Sequence, residues 1–189
     1  MSVDDAVVAY PLFQKGNGGS IPTSAHQLWI EEIDWKKAIE LNQLWHSRLP
    51  EYRVGCRPIQ HCRYCFGAIH KNTIYAIAIW SHPNNRFLDN KDTLELRRMA
   101  ISPNAPKNTA SFMISKMVKI INKNEGYTRF ISYQDTEVHK GIIYKASGWN
   151  SVSENSAMDY TFGGSRKRPK NQSLANKIRW EYKIEENDG

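Results

Sequence analysis

The segment from Thr93 to Ile121 most constrains how this chain can fold. An apolar strand pattern over Thr93–Ile101 runs into a loop of small residues, Ser102–Ser111, which opens directly into a helical pattern. A helix that begins this way leaves its first backbone N–H groups unpaired and points the positive end of its dipole at the loop, where phosphate can bind. The alternative is an ordinary helix start capped by Thr109 or Asn108. The candidate phosphate contacts are Lys107, Asn108, Thr109, Ala110 and Ser111.

The remaining patterns predict a mixed α/β fold without an internal repeat. Neither GxxxxGK[ST] nor GxGxxG occurs, so a nucleotide triphosphatase or a dinucleotide enzyme is poorly supported. Asp34 is the expected N-cap of a first helix that runs to Leu49 and stops at Pro50. Lys71 and Asn72 are expected to connect a hairpin. Strands are predicted at residues 28–33, 65–70, 73–80, 93–101, 127–133 and 149–152, and further helices at 112–123 and 141–147.

The chain is long enough for one domain. Residues 1–25 are rich in Gly and Ser near their end and indicate a flexible leader, residues 26–163 form the expected domain, and residues 164–189 are a basic segment expected to pack on or next to it. No apolar run is long enough to cross a bilayer, and Asp4 and Asp5 stand where a secretory signal would have basic residues. We therefore expect a cytoplasmic protein with no membrane partner.

The charge of the chain favours a polyanionic partner. Lys and Arg number 26 against 19 Asp and Glu, giving a net charge of +7 and a pI near 9.3. A basic stretch near the C-terminus contains no acidic residue, and we assign it to the phosphate backbone of a nucleic acid, the alternative being a solvated surface. Its members are Arg166, Lys167, Arg168 and Lys170, the densest group, followed by Lys177 and Arg179.

The strongest local pattern lies downstream of the loop. The residues Ile131–Tyr133, followed by Gly141–Trp149, resemble the closing segment of the GCN5-related N-acetyltransferase (GNAT) superfamily. This resemblance implies a single-domain GNAT-like fold and places Tyr144 where a tyrosine protonates the departing coenzyme A thiolate. A phenol with an unperturbed pKa of about 10 stays protonated at neutral pH, so the residue suits that role. The alternative is that Tyr144 is a core aromatic residue.

A closer resemblance joins four segments of the chain. Leu44–Pro50, Leu94–Arg98, Lys107–Ser111 and Tyr133–Tyr144 look like the Mom family of phage DNA-modification proteins, over about residues 26 to 155. That family converts adenine in phage DNA to its N6-carbamoylmethyl form, which protects the DNA from restriction enzymes. The resemblance implies double-stranded DNA as substrate and an acetyl-CoA or related acyl-CoA donor.

The same resemblance places the reaction centre at His46, Asp135 and Tyr144. Each of the first two has a structural alternative: His46 can cap the end of the first helix, and Asp135 can bond the local backbone of a turn. His139 is a further acid or base candidate. Five aromatic residues are candidates for stacking on an adenine flipped out of the duplex: Trp45, Tyr64, Trp80, Tyr133 and Trp149.

The product that the Mom resemblance implies poses a chemical difficulty. Attack of an amine on a thioester carbonyl gives an N-acyl product, whereas a carbamoylmethyl group is joined to N6 through its methylene carbon. The reaction therefore requires a further activation step or a metal ion. Candidate ligands for a metal ion are Cys56, His61, Cys62 and Cys65, or His46 with Asp135. The alternative for the cysteines is three reduced thiols, because an odd number in a chain without an export signal argues against a disulfide framework.

Three functions remain open from the sequence. The first is a Mom-type enzyme acting on adenine in duplex DNA. The second is a GNAT N-acetyltransferase for a small amine, a nucleoside or a protein, and the third is a DNA-binding protein that keeps the fold without the reaction. Acetyl-CoA binding separates the third from the others, and the nucleoside composition of modified DNA separates the first from the second.

Overall fold

The structure is a computed structural model that describes residues 7–8, 21–46, 52, 62–83, 87–88, 91–155 and 176–184. Within these residues, none of the helices is both long and apolar enough to cross a membrane. In chain order the elements are β1 (Val7–Val8), a 3-10 helix (Ala25–Gln27), β2 (Trp29–Glu32), α1 (Trp35–Trp45), β3 (Tyr64–His70), β4 (Thr73–Ser81), β5 (Thr93–Ile101), α2 (Thr109–Glu125), β6 (Arg129–Asp135), α3 (Ile142–Ala146), β7 (Asn150–Asn155) and β8 (Lys177–Lys183).

One mixed sheet organises the fold, in the order β2-β3-β4-β5-β6-β8-β7, with β1 pairing with β4. Neighbouring strands are antiparallel except for the two parallel pairs β5/β6 and β1/β4. The mixed α/β class expected from the sequence is confirmed.

Helices on both faces explain why the central strands are buried. Side chains from α2, including Met113 and Met117, pack with Phe66 and Trp80 on one face of the sheet. Leu41 of α1 packs with Ile77 and other residues on the opposite face. A strand covered on both faces has an almost continuous apolar sequence, as β4 does, rather than strict alternation. We call the two sides of the sheet the α2 face and the α1 face.

Local signals in the sequence set several boundaries. The Asp34 carboxylate accepts a hydrogen bond from Lys36 N at 2.8 Å and caps α1, as predicted. Lys71 and Asn72 both have positive φ angles, 46° and 61°, which a two-residue hairpin turn requires. However, α1 ends at Trp45 with His46 as its C-cap, before the predicted end at Leu49, and residues 47–50 lie outside the described part of the chain.

The last strand changes the expected domain boundary. Residues 164–189 were expected to pack on or next to a domain ending at residue 163, but β8 lies inside the sheet between β6 and β7. The described part of the domain therefore extends to Ile184, whose N–H donates to Thr128 O at 2.8 Å. The four basic residues from Arg166 to Lys170 lie outside the described residues. Similarly, Val7 and Val8, within the expected leader, pair with Thr73 and Ile74.

Candidate active site at the parting of two parallel strands

The parallel strands β5 and β6 separate halfway along their length. They pair only from Thr93 with Arg129 to Leu96 with Ser132. Beyond that point β5 continues along β4 to Ile101, while β6 continues along β8 to Asp135. Each strand keeps its other neighbour, so the sheet opens between the two strands toward their C-terminal ends. Beyond this parting the two strands no longer hydrogen-bond to each other.

Tyr144 reaches the base of this parting from α3. Its hydroxyl lies 2.8 Å from Ser132 Oγ, and Ser132 Oγ donates to Leu96 O at 3.0 Å. Because a serine hydroxyl has a single proton and Ser132 donates it to Leu96, Tyr144 is the donor to Ser132. Burial raises the pKa of Tyr144, partly offset by the hydrogen bond with Ser132. The phenol is therefore protonated at neutral pH, as a proton donor requires.

Aromatic rings fix the orientation of Tyr144. Trp180 of β8 stacks on its ring with centroids 5.4 Å apart and an interplanar angle of 17°, and Trp149 lies at 5.7 Å. Trp180 Nε1 donates to Gln134 Oε1 at 2.7 Å, so the stacking partner is itself held in place. Tyr144 is thus buried among aromatic residues, as its structural alternative expected, and its hydroxyl also lies at the parting.

The start of α2 lies at the same open end of the sheet. Asn108 precedes the helix with φ of 65°, and no side chain caps the helix. Thr109 directs both its N–H and its hydroxyl to Pro106 O, at 3.3 and 2.7 Å. The N–H groups of Ala110 and Ser111, the next two positions, remain available for a phosphate. No acidic residue occupies the first turn, so the positive dipole end is not neutralised there.

A hydroxyl contact connects this helix start to the helix that carries Tyr144. Ser147, the C-cap of α3, donates through Oγ to Ile143 O at 2.7 Å and lies 3.2 Å from Ser111 O. The first turn of α2 and the end of α3 are therefore in direct contact. The predicted anion-binding loop and Tyr144 are therefore parts of one candidate site.

His46 lies on the α1 face, at the C-cap of α1. Its pKa is lowered to about 4, mainly by burial and to a smaller extent by charge repulsion from Arg98 and His139. These effects place the turn after β6 near the end of α1. At neutral pH the imidazole is uncharged and is able to accept a proton.

Asp135 shapes the turn that carries His139. Its Oδ1 accepts from Glu137 N at 3.0 Å, and its backbone carbonyl accepts from the N–H groups of Val138 and His139. This is the turn role considered as an alternative from the sequence. Asp135 therefore fixes the backbone of the turn on which His139 lies.

The possible metal ligands do not form a site within the described residues. No three His, Cys, Asp or Glu side chains come together in that part of the chain, and Cys56 and His61 lie outside it. Cys62 and Cys65 are buried free thiols. A hydrogen bond from Cys65 lowers the pKa of Cys62, whereas the same contact and burial raise the pKa of Cys65.

The aromatic candidates for stacking on a base divide by burial. Trp80, Tyr64 and Trp149 belong to the α2-face core. Trp45 and Tyr133 are half-buried on the α1 face, so these two remain candidates.

The sequence did not single out two groups at the parting. Ser132 received no role, although a small polar side chain between Ile131 and Tyr133 was a signal. Arg98, a charged residue of β5, lies near His46, whereas Glu95 and Arg97 of the same strand pair with each other at 3.5 Å.

Comparison with known proteins identifies both the family and the fold. The model of the Mom protein family matches residues 27–187. No curated protein matches the sequence at a significant level.

Solved structures similar to this chain include three bacterial acetyltransferases, each 11% identical with a TM-score of 0.56. The Bacillus subtilis acetyltransferase in complex with CoA matches over 83% of this chain and 99% of its own. A GNAT family acetyltransferase from Elizabethkingia anophelis with acetyl-CoA bound matches over 84% and 99%. The ribosomal-protein-S18-alanine N-acetyltransferase from Escherichia coli matches over 85% and 97%. The fold is that of the GNAT acetyltransferases.

Proposed function

Because the chain belongs to the Mom protein family, we propose that it modifies the N6 amine of adenine in double-stranded DNA and uses an acyl-coenzyme A donor. The modification proposed is of the carbamoylmethyl type, which protects DNA from restriction. The observation that carries the proposal is the hydrogen-bonded pair of Tyr144 and Ser132, 2.8 Å apart at the parting of β5 and β6. A protonated phenol at this place, in a Mom-family chain, supports a reaction in which a thiolate departs.

The chain offers groups that suit coenzyme A on the α2 face. The backbone N–H groups of Ala110 and Ser111 would hold its pyrophosphate, with Lys107, Asn108 and Thr109 in the same loop. When bound, coenzyme A supplies an activated acyl group and a thiolate leaving group. Tyr144 holds a proton at its phenolic oxygen for that sulfur. Ser132 can then turn its own proton from Leu96 O to the phenolate, because both oxygens lie within hydrogen-bonding distance of its Oγ.

The α1 face offers groups for the adenine. His46 is neutral at pH 7 and can accept the proton that the N6 amine loses. His139 lies on the turn that Asp135 forms, and Tyr133 provides a half-buried ring for stacking. An acceptor on this face and a donor on the other would meet through the parting.

Nucleoside analysis of DNA from an expressing cell tests this function. DNA from cells that express the wild-type chain is digested to nucleosides and compared by mass spectrometry with DNA from cells that express Tyr144→Phe. We expect a modified deoxyadenosine only with the wild type. Unmodified DNA from cells that contain the folded wild-type chain would reject the proposal. An N-acetyl adenine in place of the carbamoylmethyl form would show direct acyl transfer.

The acetyltransferase structures favour a second candidate, an N-acetyltransferase for a small amine, a nucleoside or a protein. This candidate requires the same donor site and the same role for Tyr144. Incubation of the purified chain with labelled acetyl-CoA and host lysate distinguishes it, because label would then appear in protein or small molecules and not in DNA.

A further inference from the structure

A band of basic side chains crosses the α1 face from β5 to β8. In the register, Tyr133 and Arg129 of β6 lie opposite Arg179 and Lys183 of β8, and paired residues project to the same face. Arg98 of β5 lies opposite Ile79, whose side chain belongs to the α1-face core. Burial raises the pKa of Tyr133, whereas the charges of Arg179 and Arg97 lower it, so both arginines lie near this ring. We call the following residues the basic band: Arg97, Arg98, Arg129, Arg179 and Lys183.

The carboxylates within the band do not balance its positive charge. Glu181 accepts from Arg129 at 2.9 and 3.0 Å and lies 3.5 Å from Lys183 and 3.9 Å from Arg179. Burial alone would raise the pKa of Glu181, but Arg129 and Lys183 hold it below its usual range. Three cations thus share one carboxylate. Glu95 pairs with Arg97, and Asp92 acts on Arg129, so among the described residues the five cations of the band face three carboxylates and an excess of positive charge remains.

Two arginines of the band have a buried N–H group that finds no acceptor among the described residues. These are Nε of Arg98 and Nε of Arg179. Arg98 stacks on Tyr52 at 5.2 Å and donates through Nη1 to Arg97 O at 2.7 Å, but it forms no salt bridge with a carboxylate in the described part of the chain. A buried guanidinium N–H left unpaired is costly, and an anionic oxygen would satisfy it. Both groups are therefore suited to bind an anion, and the described part of the chain supplies none to them.

We propose that the basic band binds backbone phosphates of the duplex on either side of the target adenine. This inference rests on the proposed function and deepens it by naming the surface that the DNA contacts. A phosphodiester is favoured as the anion because a guanidinium binds its oxygens in bidentate geometry and because the cations follow one another across three strands. The band borders the parting and includes the neighbours of His46 and Tyr133. Phosphates held there would place an extruded base beside both residues.

The salt dependence of duplex binding tests the band. Fluorescence anisotropy with a labelled DNA duplex gives the dissociation constant between 50 and 200 mM salt, an interval over which one phosphate contact changes affinity about 3.5-fold. Lys183→Gln, Arg98→Gln and Arg179→Gln should each reduce the slope of log K against log salt by about 0.9. Lys183 is 66% exposed, so its replacement preserves the fold. Arg98→Lys and Arg179→Lys should restore the slope, because they restore the charge.

The control is Lys119→Gln, which removes an exposed charge from α2 on the other side of the sheet and should leave the slope unchanged. If the wild type binds duplex and the Gln variants of the band keep its slope, the inference is overturned and the proposed function stands. If the wild type binds no duplex, both are overturned. Binding of a poly-glutamate peptide instead of the duplex would assign the band to an acidic protein segment and also reject the inference.

Discussion

Replacement of Tyr144 by Phe should remove activity while leaving stability almost unchanged. The variant loses one hydroxyl, but its ring still stacks on Trp180 and still contacts Trp149. Ser132 keeps Leu96 O as its acceptor, so no buried donor is left unpaired. The net cost of the lost hydrogen bond is about 0.5 to 1.5 kcal/mol. Loss of a general acid lowers rates by about 10²- to 10⁴-fold, or roughly 3 to 5 kcal/mol in the barrier.

Ser132→Ala should show the opposite balance. It leaves the buried Tyr144 hydroxyl without its acceptor and Leu96 O without its donor, which costs about 1 to 3 kcal/mol in stability. The phenol is still present, so activity should fall less than in Tyr144→Phe. Because the hydrogen bond with Ser132 lowers the pKa of Tyr144, its loss should raise that pKa and make the phenol a weaker acid.

Two measurements decide this pair of variants. The fraction of modified adenine, obtained by nucleoside mass spectrometry, gives activity, and denaturant unfolding gives stability. We expect Tyr144→Phe to be the less active variant and Ser132→Ala to be the less stable one. Full turnover by Tyr144→Phe would refute the general-acid role. Equal stability losses would show that Tyr144 does not donate its proton to Ser132.

The other predictions concern His46, the start of α2 and the basic stretch. The stability of the wild type should decrease relative to that of His46→Gln as the pH falls from 6.5 to about 4, because over that interval His46 becomes protonated in the unfolded chain but not in the folded chain. Denaturant unfolding at several pH values measures this difference. A wild type that gains stability over the same interval would contradict the prediction. Ala110→Asp should weaken acetyl-CoA binding in calorimetry without unfolding the protein, because a carboxylate repels phosphate yet suits a helix N-terminus; unchanged affinity would reject the loop assignment. Thr109→Pro should weaken the same binding, because it removes the hydrogen bond from Thr109 N to Pro106 O that holds the loop in place before α2. The last prediction concerns the four basic residues Arg166, Lys167, Arg168 and Lys170. Their replacement by Ala should lower the magnitude of the slope of log K against log salt for duplex binding by roughly three to four. A variant with the wild-type slope would show that this stretch is an ordinary solvated surface.

Elements with a strong local signal were predictable from the sequence. The strand Thr93–Ile101 was predicted with its observed bounds, and Asp34 caps α1 as predicted. The strand is marked by its own apolar sequence, although it is held by pairing with β4 and β6. The cap depends on an interaction within a few residues of the chain, the bond from Lys36 N to Asp34. The hairpin turn at Lys71 and Asn72 is local in the same sense.

Features that depend on distant pairing were not predictable in the same way. In β8 the apolar residues Ile178, Trp180 and Tyr182 alternate with charged ones, a strand signal that was interpreted only as part of a basic stretch. The parting of β5 and β6 has no signal in the sequence of either strand, because it arises when β5 continues to pair with β4 and β6 continues to pair with β8. The role of Ser132 follows from that parting, since its acceptor lies on β5 and its donor on α3.

The insertion of β8 between β6 and β7 determines when during synthesis the site can exist. Trp180 is 46 residues beyond Gln134, its hydrogen-bond partner, and it supplies the ring on which Tyr144 stacks. A nascent chain that has passed Tyr144 but has not reached Lys183 lacks the strand that pairs with both β6 and β7. Such long-range pairing forms slowly and late. Incomplete translation products and fragments cleaved before β8 should therefore be inactive even though they contain Tyr144, His46 and the loop before α2.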